Sequence, residues 1–414
     1  MRNDHSTPRP GGGSAAVLSS LVRRLHPLDW LAAGLLLAGL LAAVTGLLPA
    51  GPAADQMRRI GPLLAFLATV IVMAELAGRA QVFDVVAAWV ARAGRGRYAL
   101  LFGLCVAFAS LTTITLNLDT TAVLLTPVML TLGTRVGIAG VPLAMTTVWL
   151  ANTASLLLPV SNLTNLLAAD RVALSPAGLA SVMWLPQLAA IGVTALCLWV
   201  FYWRRGRRGA ERYTPPALPV PGDPVLLRIC AVACVGFLVA ILAVDVPLWS
   251  ASLAAMVVVV AAFAVRRREE LRLSLVPWRL LVLVPGMFLV VETVNAHGLH
   301  ELLVRALGSD NGFLGMLRSA GVGAGLANVL NNLPAYVAGE AVIPAGNHDQ
   351  LLALLIGVNA GSVVTPWGSL ATLLWFERCR QQGTRIALGR FVLTGLVLAV
   401  TATAAATCAL ALVT

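Results

Sequence analysis

The chain contains no lysine and few charged residues of any kind. Charged side chains make up 11% of its 414 residues, all 29 basic residues are arginine, and five histidines are present. Soluble domains carry about 25% charged residues, so this composition argues against a soluble fold. The formal net charge of +11 does not indicate nucleic-acid binding, because the arginines lie in short loops between apolar runs, where they signal membrane topology.

Metal-binding and enzymatic motifs are also missing. The six cysteines are scattered, mostly inside apolar runs, and no histidine or further cysteine lies near Cys230 and Cys234 to complete a metal set. The sequence has no phosphate-binding loop, no HExxH and no paired CxxC, and no pair of catalytic residues occurs at reachable spacing. We therefore expect no metal ion, no cofactor and no enzymatic activity.

Long apolar runs are what the chain has in abundance. Hydrophobic residues make up 59% of the sequence, and several uncharged runs reach the ~20 residues that span a bilayer. We predict an all-α integral membrane protein with about nine full spans and two re-entrant hairpins. The predicted spans are 29–50, 60–78, 141–169, 180–203, 225–243, 246–264, 279–296, 349–376 and 386–412.

Two of these spans, 141–169 and 349–376, carry small and polar residues at their centres. At an offset of 207 residues, Asn152 aligns with Asn359 and Pro159 with Pro366. Proline lacks the backbone N–H and breaks a helix, and hydrocarbon tolerates free backbone polar groups only where protein or a wet cavity satisfies them. Two matched, broken helices indicate a binding site near the midplane of a secondary transporter.

Two further apolar stretches, 98–133 and 311–345, have a polar, helix-breaking centre at 117–121 and 328–334. Each half, at about 15 residues, is short for a full crossing, so we predict re-entrant hairpins. The tips align Asn117 with Asn331 at an offset of 214.

The matched segments predict an internal duplication. One extra span, 225–243, separates the halves, so the second half must have the opposite orientation, as in the inverted repeats of alternating-access transporters. We predict a flexible cytoplasmic tail (1–24), a first repeat (25–203), a cytoplasmic linker with the connecting span (204–245) and a second repeat (246–414). With the N-terminus in the cytoplasm, most arginines fall on the cytoplasmic side.

The candidate site residues lie at the four breaks. Asp119 is the sharpest signal, because a carboxylate within a membrane is costly unless it is paired, hydrated or protonated. We predict that Asp119 carries a proton or coordinates a cation, and the alternative is a helix cap. The predicted neutral substrate ligands are Asn117, Thr120, Thr121, Ser161, Asn162, Thr164, Asn165, Asn331, Asn332, Thr365, Ser369 and Thr372; interhelical hydrogen bonding is their alternative role. The duplicated Glu75 and Glu292 favour a structural tether.

These motifs resemble those of a known family. ASLLLPVSNLTNLL at 154–167 and TPWGSLATLLW at 365–375 are similar to the broken-helix motifs of the bacterial arsenite/antimonite efflux permeases, which belong to the ion-transporter superfamily with the divalent-anion:sodium symporters. LDTTAVLLTP at 118–127 and NNLPA at 331–335 resemble that family's hairpin tips, and Asp119 matches its acidic position. The chain departs from the family at Asn152 and Asn359, where acidic residues are expected.

The resemblance implies proton-coupled efflux of arsenite or antimonite, as the neutral trihydroxide, across the bacterial inner membrane. It also implies a homodimer and an arsenite-delivering ATPase or chaperone as possible partners. The hairpins and broken helices would move as a transport unit against a scaffold of the other spans. The alternatives are a sodium- or proton-coupled carrier of carboxylates or other anions, and a sodium/proton antiporter, on the same fold.

Overall fold

The computed structural model describes residues 27–48, 50–204, 212–217, 220–243, 247–308, 310 and 312–414. Within these ranges the chain is helical, and its one β contact is an isolated bridge between Arg97 and Arg212. Eight helices of the described part are long and apolar enough to cross a bilayer by length and composition. The predicted all-α membrane class is confirmed. The predicted tail, 1–24, and residues 205–211, 218–219 and 244–245 of the predicted linker lie outside the described residues.

The described part of the first half contains eight helices. They are α1 (Pro27–Val44), α2 (Ala50–Arg79), α3 (Val82–Ala93), α4 (Tyr98–Thr115), α5 (118–136), α6 (Gly140–Thr153), α7 (Leu163–Arg171) and α8 (Pro176–Leu198). Helix α5 begins with a short turn, Leu118–Thr120, and a π-helical turn, Thr121–Leu125, before Thr126–Val136. A π-helical turn, Trp199–Trp203, extends α8.

The connecting helix α9 (Pro224–Ala243) leads to the second half, which repeats the order of the first. Its helices are α10 (Leu248–Arg266), α11 (Trp278–Val294), α12 (His300–Leu307), α13 (Phe313–Leu330), α14 (Asn332–Glu340), α15 (His348–Ala360), α16 (Leu370–Gln381) and α17 (Leu388–Leu410). A π-helical turn, Asn295–Leu299, joins α11 to α12.

The two halves pack reciprocally. Helix α1 of the first half lies against α11 of the second, and α10 of the second lies against α2 of the first. The contact between α1 and α11 is close, since a Cβ on Gly286 would overlap the backbone of Leu36; small residues allow such close approach between membrane helices. This exchange of equivalent partners is the arrangement that two symmetry-related repeats produce, in agreement with the predicted inverted repeat.

The structure corrects several predicted boundaries. Helices α4 and α13, the first limbs of the two hairpins, contain 18 residues each rather than about 15, since they end at Thr115 and Leu330, within two residues of the asparagine at the tip. Helix α16 continues to Gln381 rather than ending at 376, because the chain has no helix-breaking residue until Gly383, which has a φ of +69°. This extension places Arg378 on a helix that leads to the site.

The described part of the linker is docked rather than loose. The hydroxyl of the buried Tyr213 donates to the carbonyl of Ala91 on α3 at 2.7 Å, and its ring lies edge-on to Tyr98. The linker is therefore anchored to the first half beside hairpin 1, which consists of α4 and α5.

Candidate functional site

The two hairpin tips share an unusual backbone. Asn117 has a φ of +151° and Asn331 a φ of +110°, in a region that residues other than glycine avoid at a cost of ~1–3 kcal/mol each. Each asparagine caps the helix that follows: Asn117 Oδ1 accepts from the N–H of Thr120 at 2.8 Å, and Asn331 Oδ1 accepts from the N–H of Leu333 at 3.4 Å. The predicted alignment of the two tips is confirmed.

The two broken helices are also equivalent, at an offset of 207. Helices α6 and α15 end at Thr153 and Ala360, while α7 and α16 begin at Leu163 and Leu370. Asn162 caps α7 by accepting from the N–H of Thr164 at 3.2 Å, and Ser369 caps α16 by accepting from the N–H of Thr372 at 3.1 Å. A capping residue satisfies one of the free N–H groups at a helix start.

Different side chains satisfy the unwound backbone of the two breaks. In the first break, Gln187 of α8 accepts from the N–H of Leu156 at 2.7 Å. In the second, Asn328 of α13 accepts from the N–H groups of Val364 and Thr365 at 3.1 and 3.0 Å and donates to the carbonyl of Gly361 at 2.7 Å. In both breaks, side chains of the protein therefore provide hydrogen-bond partners for unwound backbone groups, which must be satisfied within a membrane.

Asn359 joins the second repeat to the first. Its Oδ1 accepts from Asn162 Nδ2 at 2.9 Å and from Thr164 Oγ1 at 2.7 Å, and its Nδ2 donates to Asn165 Oδ1 at 2.8 Å. Asn165 in turn donates to the carbonyls of Ser155 and Leu158. All of these side chains are buried, so the network is a fully hydrogen-bonded polar centre, which favours a single arrangement of the two breaks.

Asn152, the symmetry mate of Asn359, makes the reverse connection. Its Nδ2 donates to Thr372 Oγ1 at 3.3 Å and to the carbonyl of Val148 at 2.9 Å, and its Oδ1 accepts from Ser362 Oγ at 3.2 Å. The two asparagines that replace the expected acidic residues therefore serve the contact between repeats, and neither lines the cavities described next.

A cavity of about 330 Å³, here called the central cavity, lies between the tips, the breaks and helices α1, α2 and α11. Among the described residues, its polar lining consists of Asp119, Asn162, Asn331, Asn332 and Trp367, and the rest is aliphatic apart from Pro334 and Met287. Asp119 is the one charged side chain among these lining residues. The cavity suits a small ligand that is neutral overall.

A second cavity, here called the inner polar cavity, has a volume of about 300 Å³ and lies on the other side of Asp119. Asp119 and Thr120 line it together with Glu75, Arg279 and Arg378. Three polar atoms at the tip of hairpin 1 (117–121) are buried without a hydrogen-bond partner: Asn117 Nδ2, Asp119 Oδ1 and Thr120 Oγ1. Orphaned buried polar atoms are rare in native proteins, so their concentration at this tip indicates a place for water or ligand.

The predicted site residues divide into two groups. The residues that line a cavity are Asp119, Thr120, Asn162, Asn331 and Asn332. The remaining side chains make internal hydrogen bonds, namely Asn117, Thr121, Ser161, Thr164, Asn165, Thr365, Ser369 and Thr372. The breaks thus bring all of these residues to one region, and their role in substrate binding stays a prediction.

Some residues of this region were not among the predicted site residues. Asn328 and Gln187 bind unwound backbone, and their signal was a polar side chain within an apolar helix. The predicted broken span ends at 376, before Arg378, and only the extension of α16 brings Arg378 to the inner polar cavity.

Sequence comparison finds two kinds of match. Residues 26–349 match the family described as "Citrate transporter". The "Arsenical pump membrane protein" of Escherichia coli K12 is 31% identical over 87% of this chain and 89% of its own length. The protein of the same name from Yersinia enterocolitica is 30% identical over 86% and 88%.

The fold also matches a solved structure. The Alcanivorax borkumensis YdaH transporter, described as having an unusual topology, superposes with a TM-score of 0.57 over 93% of this chain and 97% of that one. The sequences are 14% identical, so this likeness concerns the fold alone.

Proposed function

We propose that this chain, which belongs to the citrate transporter family, exports trivalent arsenic or antimony as the neutral trihydroxide in exchange for protons. The observation that carries the proposal is the lining of the central cavity, where Asp119 is the one charged residue among the described lining residues, which are otherwise asparagines and mainly aliphatic side chains. The chain is a multi-pass membrane protein of a bacterial transporter family for small molecules.

The chemistry of the central cavity favours a neutral, hydroxyl-bearing substrate. The amides of Asn162, Asn331 and Asn332 offer donors and acceptors without charge, and the described lining contains no arginine. An anion in such a cavity would lie beside the Asp119 carboxylate without a compensating cation, which is costly in a membrane interior. The names of the similar Escherichia coli and Yersinia enterocolitica proteins support the same substrate.

We place the coupling at Asp119, whose Oδ1 has no hydrogen-bond partner. A carboxylate that is exposed to two cavities in turn can take a proton from one side and release it on the other. In this proposal the transport unit is formed by the elements that carry the site. These are the hairpins α4–α5 and α13–α14 and the broken helices α6–α7 and α15–α16. Helices α1, α2, α10 and α11 belong to the scaffold.

The remaining predictions complete the proposal. The repeats are residues 25–203 and 246–414, the membrane is the bacterial inner membrane, and the N-terminus is cytoplasmic. A homodimer formed through the scaffold and delivery of arsenite by an ATPase or chaperone are further parts that the resemblance implies.

The test is arsenite uptake into everted membrane vesicles from a host that lacks its own arsenite exporters. Wild-type vesicles should accumulate arsenite when a proton gradient is imposed and should lose it when the gradient is collapsed. Asp119→Asn should abolish gradient-driven accumulation, whereas Asp310→Asn, at an exposed ion pair with Arg318, should leave it unchanged. Normal accumulation by Asp119→Asn would overturn the coupling role of Asp119.

A carboxylate carrier is the second candidate, and one observation favours it. Arg279 and Arg378 line the inner polar cavity, and arginine is suited to binding carboxylates. Arg279 is, however, bonded to Asp29 at 2.7 Å, which leaves Arg378 as the better placed cation. Sodium- or proton-driven uptake of citrate by vesicles that do not accumulate arsenite would favour this candidate over the metalloid exporter.

A further inference from the structure

A third cavity continues the path from Asp119 toward the arginine-bearing ends of α2 and α16. This outer polar cavity, of about 330 Å³, is lined by Glu75, Arg79, Asp84, Thr131 and Arg378 among others. It adjoins the inner polar cavity, because Glu75, Val123, Leu124 and Arg378 line both. The three cavities therefore form a series in which Asp119 separates the first from the second and Glu75 lies between the second and the third.

Glu75 is held loosely where it stands. Its Oε1 lies 3.7 Å from Arg79 Nε, which is longer than a hydrogen bond. Arg79 makes its short contacts elsewhere, since Nη1 donates to the carboxylate of Glu270 at 3.0 Å and to the carbonyl of Glu270 at 2.8 Å. The Glu75 side chain is 30% exposed, so its carboxylate can exchange a proton with water.

The charged groups around Glu75 are of both signs. Arg79 lies on its own helix, Asp84 on α3, Arg378 on α16 and Arg279 on α11, and Asp119 lies across the inner polar cavity on hairpin 1. Glu270 does not line these cavities, but its carboxylate pairs with Arg79, which also lies near Glu75. Glu75 therefore lies where the inner and outer polar cavities meet, among polar and charged side chains from four helices and hairpin 1.

The inner polar cavity can conduct a proton. A water molecule occupies ~30 Å³ and needs polar partners, so a cavity of about 300 Å³ with polar lining has room for several waters between Asp119 and Glu75. Thr120 supports this view, because it is 5% exposed and its Oγ1, buried without a partner, belongs to a residue that lines the cavity.

We propose that Glu75 is a proton relay between Asp119 and the arginine-bearing face of the protein. In the step, the carboxylic acid of Asp119 gives its proton to cavity water, water gives a proton to the Glu75 carboxylate, and Asp119 is left ionised. Glu75 then releases the proton through the outer polar cavity. This inference rests on the proton coupling proposed above, and it assigns Glu75 a role other than the structural tether that its duplication favours.

The internal duplication supplies a matched control. Glu292 aligns with Glu75 at an offset of 217, but it lines a separate cavity with Asn295, His300 and Glu301, and Asp119 is not part of that lining. A structural tether would be needed equally at both positions, whereas a relay to Asp119 is possible only at Glu75.

The experiment uses purified full-length protein in proteoliposomes and two measurements. The first is arsenite accumulation driven by an imposed pH gradient, and the second is exchange of labelled for unlabelled arsenite without a gradient, which needs no net proton release. Glu75→Gln should lower the first by about tenfold or more, as loss of a positioned acid–base group does, and should leave the second unchanged. Glu75→Asp should recover part of the accumulation, and Glu292→Gln should match wild type in both measurements.

Each outcome separates the relay from the proposed function. Wild-type liposomes that accumulate no arsenite would overturn the exporter and the relay together. Wild-type accumulation matched by Glu75→Gln would overturn the relay alone. Loss of both accumulation and exchange in Glu75→Gln, with an equal loss in Glu292→Gln, would assign the two glutamates a structural role instead. Persistent exchange in Glu75→Gln also shows that the variant is folded.

Discussion

Asn359 and Asn152 offer a paired test of how the two repeats are held together. Both are fully buried asparagines, they occupy equivalent positions at an offset of 207, and both are replaced by alanine in the test. If burial alone set the cost, the two substitutions would be equally destabilising. The hydrogen bonds of the structure predict that they are not.

Asn359→Ala removes the side-chain partner of three atoms: Asn162 Nδ2, Thr164 Oγ1 and Asn165 Oδ1. An orphaned buried polar atom costs ~1–3 kcal/mol, although hydrogen bonds between membrane helices average nearer ~0.6 kcal/mol. Because neighbouring terms do not add fully, the expected total for this substitution is a loss of about 2–5 kcal/mol.

Asn152→Ala leaves its hydroxyl partners with other hydrogen bonds, unlike Asn359→Ala. Thr372 Oγ1 keeps its contact with Ser369 Oγ at 2.9 Å, and Ser362 Oγ keeps its bond to the carbonyl of Asn359 at 2.9 Å. Because neither hydroxyl is left without a partner, the expected loss is a net hydrogen-bond contribution rather than the cost of an orphaned atom, about 1 kcal/mol.

The assay is reversible unfolding in detergent micelles, followed by the fluorescence of buried tryptophans such as Trp149 and Trp375. Asn359→Ala should lose at least about 1–2 kcal/mol more than Asn152→Ala in free energy of unfolding. Equal losses would refute the unequal division of hydrogen bonds between the two asparagines, and a larger loss for Asn152→Ala would reverse it.

Three further predictions concern stability, each read from melting temperatures in detergent. Gly357→Ala should lower stability by about 1–3 kcal/mol because the new Cβ would overlap the carbonyl of Ala320. Gly321→Ala, with open space around it, should raise stability by up to about 1 kcal/mol. Equal effects of the two substitutions would contradict the close packing of α13 on α15. Asn117→Gly should be more stable than Asn117→Ala by about 1 kcal/mol or more, because both lose the cap but only glycine relieves the positive φ. Asp223 lies outside the spans, and the hydrogen bonds that it accepts from Arg266 and from the N–H groups of Leu226 and Val225 hold its pKa below the ordinary value. The ionised Asp223 therefore stabilises the fold at any pH above its ordinary pKa. This stabilisation is lost as the pH falls through the lowered pKa of the folded protein. Arg266→Gln should therefore show a smaller loss of melting temperature on acidification than wild type.

Much of the fold follows from local patterns in the chain. The apolar runs, the prolines at 159 and 366 and the asparagines at 117 and 331 act within a few residues of themselves, so they can be read without knowledge of tertiary contacts. The offset of 207 between Asn152 and Asn359 reappears at both ends of the broken helices, where α6 and α15 end and α7 and α16 begin. Duplication keeps such spacing because both copies are built to the same length.

The sequence could not show which polar residues of the site line the cavity and which make hydrogen bonds between the repeats. Thr164 and Asn165 were predicted to bind substrate, as were Asn162 and Asn332, and the residue type is the same kind of neutral polar group in all four. In the structure, Thr164 and Asn165 bond to Asn359 in the inter-repeat network, and Asn332 lines the central cavity. Asn162 does both. Residues close together in sequence have different surroundings, and only the packing of the two repeats decides which of them reach the cavity.

By itself, the sequence determined the membrane class, the internal duplication and the positions of the four helix breaks, because hydropathy and the loss of backbone hydrogen bonds at proline are local properties. Only the tertiary structure decided that Asn152 and Asn359 join the repeats and that α16 brings Arg378 to the inner polar cavity. It alone placed Asp119 and Glu75 along one series of cavities. Glu75 and Asp119 are 44 residues apart in the sequence, and a cavity between them exists only once helices from both halves have packed around it.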